Sequence, residues 1–132
     1  MALQFNTYAK VTALFPSMLL FSSTTVLKIY PSSVSFPSTA TTAPAGELIT
    51  FTNFTTTQVG NQLKLSGAPG TTAAAALSGV PSWFHFTETA YGGIMIGNSV
   101  GLSGSSPVIT LNSMSLTAAT TYTLLDITLT MV

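Results

Sequence analysis

Only six of the 132 side chains carry a charge at neutral pH: Lys10, Lys28 and Lys64 against Glu47, Glu88 and Asp126, with no arginine. Globular domains carry about 25% charged residues, and this chain carries 5%. Its outer faces must stay wet by other means, and the means is hydroxyl: 23 Thr and 16 Ser make 39 residues. Threonine is β-branched, packs well on a pleated surface and hydrates its outer side without a charge. A hydroxyl surface is also buried against another protein at lower desolvation cost than a charged one. The composition therefore predicts a β-rich subunit that lives packed among neighbours.

With a formal net charge of zero, the chain has no long-range field to steer a charged partner. Nucleic-acid binding is not expected, because neutralising phosphates needs several Lys or Arg on one face. A length of 132 residues predicts a single domain over 1–132. The absence of cysteine removes disulfides and thiolate metal sites and leaves the redox compartment open. "ALFPSMLLF" at 13–21 has an apolar signal-like core, but only Lys10 precedes it and Pro16 interrupts it. No run of 18 apolar residues occurs, so no membrane span is expected. "NFT" at 53–55 is a glycosylation sequon, relevant only in a secretory pathway.

Along the chain, Asn6 or Thr7 is placed to cap a short helix, with Tyr8, Val11, Phe15, Met18 and Leu19 at helical spacing and Pro16 breaking it. Residues 1–23 are read as an N-terminal helical segment. From there the period becomes two. "TVLKIY" at 25–30 puts Leu27 and Ile29 on one face and Val26, Lys28 and Tyr30 on the other. Residues 31–46, "PSSVSFPSTATTAPAG", hold three prolines and no period, and are expected to form an extended arm or loop touching a neighbour. Strands resume with "ELITFTNF", "QLKLS", "SWFHFTE", "GGIMIG", "PVITLNSMSL" and "TYTLLDITLTMV", separated by Gly, Pro, Ser and Asn clusters. The stretch 67–79, rich in small residues, is assigned no structure.

These segments predict an all-β fold over 24–132: an antiparallel β-sandwich, jelly-roll or Ig-like, of about seven to eight strands. In the last strand, Leu125, Ile127, Leu129 and Met131 share one face and Leu124, Asp126, Thr128 and Thr130 the other. A strand this long, apolar and uncharged would seed aggregation at a free edge, so it should be central or covered.

"SWFHFTETAY" at 82–91 holds the only Trp and the only His. Alternation buries Phe84 and Phe86 and turns Trp83 and His85 outward, with Tyr91 at the nearby turn. That face reads as a partly buried aromatic strand, a subunit contact or a carbohydrate platform. Catalysis is poorly supported. His85 and Asp126 have no "GxSxG" serine to join them, and Glu47 with Glu88 is the obvious glycosidase pair from three acids. One histidine without cysteine gives no metal-ligand spacing, and "GxGxxG" is absent. No enzyme, cofactor or metal is expected; protein contacts are expected at Tyr8, Phe36, Trp83, His85 and Tyr91.

Taken in order, "VLKIYPSS", "GELITFTNF", "SGVPSWFHFTET", "IMIGNSVGLSGSSPVITLNSMSLTAATT" and "YTLLDITLTM" resemble a family of small tailed-bacteriophage virion proteins over most of 24–132. The resemblance implies a multi-copy structural protein on the capsid surface, a decoration or cement protein. Its implied partners are the major capsid protein or its own copies. A carbohydrate-binding or adhesive module of a head or tail fibre is the alternative. The chain departs from the family at its start, where the usual opening helix is charged and residues 5–21 carry only Lys10. His85 stands where an arginine is common, which implies an outward position.

Overall fold

The computed structural model describes residues 3–5, 25–38, 43–52, 55–59, 62–66, 72–88, 92–98, 100–102 and 109–130. In chain order the strands are β1 (Leu3–Phe5), β2 (Thr25–Pro31), β3 (Ile49–Phe51), β4 (Thr55–Val59), β5 (Gln62–Ser66) and β6 (Thr72–Ala74). They continue with β7 (Pro81–Glu88), β8 (Gly92–Gly97), β9 (Val100–Leu102), β10 (Ile109–Leu111) and β11 (Thr121–Thr130). No helix occurs among the described residues. Where the sequence predicts a helical segment over 1–23, Leu3–Phe5 is a strand paired antiparallel with β8. The unpaired backbone edge of β8 satisfies those three residues better than an isolated turn of helix would. The rest of the expected helix, with Tyr8, lies outside the described residues.

Two sheets result. One runs β1-β8-β7-β2-β3; the other runs β4-β5-β11-β10-β9, with β6 also pairing β11. All pairs are antiparallel except β9 with β10, which is parallel and departs from the expected all-antiparallel pattern. Both strands are three residues long, so the six intervening positions, which reach about 20 Å when extended, suffice to bring the chain back to the start. The described residues hold eleven strands where about seven to eight are expected; β1, β4, β6 and β9 come from stretches assigned no strand. β6 forms because Thr72–Ala74 meets Thr121–Thr123 along β11.

The inward residues of both sheets make one core. Leu27, Ile29, Ile49, Phe51, Phe84 and Phe86 come from the first sheet and Ile109, Leu111, Tyr122, Leu124 and Ile127 from the second. Each such side chain stabilises the fold by roughly 1.5–3 kcal/mol relative to exposure, against a net stability of about 5–15 kcal/mol, so loss of a few would unfold the chain. Strand β11 is central, between β5 and β10, as its apolar sequence requires. Its alternation, however, is broken. Ile109 pairs with Ile127 and Leu111 with Leu124, so β11 carries one residue more than β10 between the same two levels. This bulge keeps Leu124 and Ile127 both buried and leaves Leu125 48% exposed. Uninterrupted alternation had grouped Leu125 with Ile127, and the bulge corrects it.

Candidate functional site

Strand β7 is buried on both faces. Phe84 and Phe86 enter the core as expected, but Trp83 is only 2% exposed and His85 is 0% exposed. Neither faces outward, contrary to the reading of the alternation and of the resemblance. The error has a physical cause: period two separates two faces of a strand but does not say that one of them is wet.

For Trp83 the cover comes from residues 31–38 and 43–46 of the same chain. Tyr30, its partner on β2, stacks on the indole with ring centroids 4.1 Å apart and planes 11° apart. Phe36 meets the indole edge-on, at 5.5 Å and 78°. The indole Nε1 donates to Val34 O at 2.8 Å, and the Tyr30 hydroxyl donates to Pro44 O at 2.8 Å. The described parts of the segment, 31–38 and 43–46, thus fold back over their own sheet rather than reach out as an extended arm. Gly46 assists the return: its φ of +98° suits glycine, and an added Cβ would lie 3.1 Å from Val34 Cγ2. Burial, and then the charge of Glu47, pushes the Tyr30 phenol up to about 12. It therefore stays a donor to Pro44 O through any ordinary pH.

His85 lies one step further along β7, opposite Lys28 on β2 and Ile96 on β8. Its Nδ1 is 3.1 Å from Thr87 Oγ1, while Nε2 is buried without a hydrogen-bond partner among the described residues. Burial, and then the Lys28 charge, pushes the imidazole down to about 4, so it is neutral at pH 7. Lys28 and Glu47 approach to 4.0 Å, each 30% exposed, a separation and exposure at which an ion pair contributes little.

The geometry brings together Phe36 and Trp83 of the five residues singled out in the sequence, adds Tyr30, Val34 and Pro44, and leaves His85 two residues along β7 beside Thr87. Tyr8 and Tyr91 lie outside the described residues. The missed signal was the coincidence of a Pro-rich segment with an aromatic pair, since extended Pro-rich backbone docks on aromatic surfaces. What the arrangement does chemically is limited. Both rings beside Trp83 are committed to it, which leaves no open platform for a sugar at this position. Asp126 sits on β11 of the other sheet, paired with Thr110, while His85 points away from the shared core between its inward neighbours Phe84 and Phe86. Glu88 pairs with Thr25 at one end of β2, and Glu47 precedes Ile49, which pairs with Ile29. Those backbone levels are about 13 Å apart along the strand, with two inter-strand steps of about 4.8 Å between them. Among the described residues no group of three His, Asp or Glu could hold a metal, and no helix is long and apolar enough to cross a membrane. No protein-family model, curated protein or solved structure matches the chain.

Proposed function

We propose that the chain is a non-enzymatic, multi-copy structural protein of a bacteriophage particle, its two sheets packed as a jelly-roll or Ig-like β-sandwich that decorates or cements the capsid. The near-absence of ionised side chains, six in 132 residues, carries this reading. A surface wetted by hydroxyls loses little on being covered by protein, and its adhesion comes from many modest contacts multiplied by symmetry. The covering of Trp83 by the chain's own Pro-rich segment supports it further, because it turns that aromatic surface into packing. The order of motifs over 24–132 that resembles tailed-phage virion proteins points the same way. The partners in this reading are the major capsid protein and further copies of the chain, on the capsid surface.

Quantitative mass spectrometry of purified particles tests it. On the order of hundreds of copies per particle is the expected result for a symmetric coat; a handful would move the protein to the tail, and its absence from particles would end the proposal.

A further inference from the structure

Among the described residues five strands pair on one side only: β1 and β3 in one sheet, β4, β6 and β9 in the other. Four of them are three residues long, and β3 is met near its start by Ala76 and Leu77, whose N–H groups both donate to Leu48 O. Strand β4, Thr55–Val59, is the exception. It spans five residues, pairs with β5 in unbroken register from Thr55↔Ser66 to Val59↔Gln62, and pairs with no other strand among the described residues. Natural edges are blunted by shortness, Lys, Pro or a bulge. The sequence "TTTQV" has no Lys, no Pro and no bulge, and four of its five residues are β-branched.

We propose that the outer edge of β4 is an interaction surface for a second copy of this chain, two β4 strands pairing antiparallel about a two-fold axis at Thr57. The inference extends the multi-copy reading above. An isologous antiparallel pair sets each residue against its mirror position: Thr57 faces Thr57, Thr56 faces Gln58 and Thr55 faces Val59. In such a pair a charge at the centre would meet its own copy, and like charges directly opposite are unfavourable whereas Thr–Thr pairs are favourable. An uncharged, Thr-centred edge therefore suits its own copy better than it suits a charged partner. Depending on which amides point outward, the pair closes about four or six backbone hydrogen bonds, a mode in which main-chain bonding supplies the affinity. With a formal net charge of zero, the two copies do not repel.

The chain has no cysteine, so one introduced thiol reports on one contact. Facing Cα atoms in an antiparallel pair are about 4.5–5.5 Å apart, inside the span of about 4.4–6.8 Å that a disulfide bridges. The Thr57→Cys chain, mildly oxidised, should run as a covalent dimer, while Ser33→Cys, on an exposed turn, should not. In sedimentation over a concentration series the parent should dimerise and Thr57→Lys should not, with unchanged circular dichroism. Absence of the Thr57→Cys dimer, or oligomers that persist in Thr57→Lys, overturns the β4 pairing. Neither result touches the copy number in particles, so the structural reading stands or falls separately.

Discussion

At the scale of single residues, His85 is the one buried side chain with a polar atom that finds no partner among the described residues. It is fully buried with Nε2 unpaired, and an unsatisfied buried polar group costs about 1–3 kcal/mol. Its folded-state value of about 4 lies below the ordinary 6.5, so the unfolded chain takes up the proton first as pH falls. The stability contributed by the neutral ring is complete above 6.5 and is lost as pH drops from there towards 4. His85→Leu removes both the orphan nitrogen and the titration. The variant should match or exceed the parent in urea midpoint near neutrality and lose less of it between pH 6.5 and 4; parallel declines would assign the acid sensitivity to the carboxylates instead. Ala119 offers a second test. It holds φ at +68° in the turn closed by Thr120 N–H donating to Thr117 O, and a left-handed conformation costs a non-glycine residue about 1–2 kcal/mol. Part of that is returned in entropy when glycine replaces alanine, so Ala119→Gly should raise stability by up to about 1 kcal/mol, read as a rise in melting temperature.

At the scale of elements, the bulge in β11 and the folded-back 31–46 segment separate what the sequence conveys from what it cannot. Strands β2, β5, β7, β8 and β11 were legible because alternation, Gly and Pro mark them locally. The inward Phe84 and Phe86 were legible for the same reason. The bulge was not, since it is set by pairing across to Ile109 and Leu111 and leaves no trace in "TLLDI" itself. It has a measurable consequence: Leu124→Ala should cost about 2–5 kcal/mol and Leu125→Ala within about 0.5 kcal/mol, whereas unbroken alternation demands the reverse, and urea denaturation decides. The burial of Trp83 was equally hidden, because its cover comes from residues 47 to 49 positions away in sequence, Val34 and Phe36. Trp83→Phe keeps most of the stack but loses the bond to Val34 O, and Tyr30→Phe loses the bond to Pro44 O; each should cost about 1 kcal/mol and speed proteolysis within 31–46. Because the two rings touch, the double variant should deviate from the sum of the singles.

For the whole molecule, the scarcity of charge sets how stability and association respond to salt. Only the Lys28–Glu47 contact joins opposite charges among the described residues, and at 4.0 Å with both ends 30% exposed it is readily screened. Cohesion rests instead on the shared core of the two sheets and on backbone ladders, neither of which ions screen appreciably. Raising NaCl from about 0.05 M to about 0.5 M shortens the Debye length from more than 10 Å to about 4 Å, which would weaken an assembly held by charge several-fold or more. Here the melting temperature and the sedimentation profile should both stay nearly flat over that range. Sulfate, which strengthens apolar burial by exclusion from protein surfaces, should by contrast raise the melting temperature and drive copies together. A steep loss of association in NaCl would show that the six charges are concentrated in the contacts between copies, and would remove the physical basis for adhesion through hydroxyl and backbone surfaces.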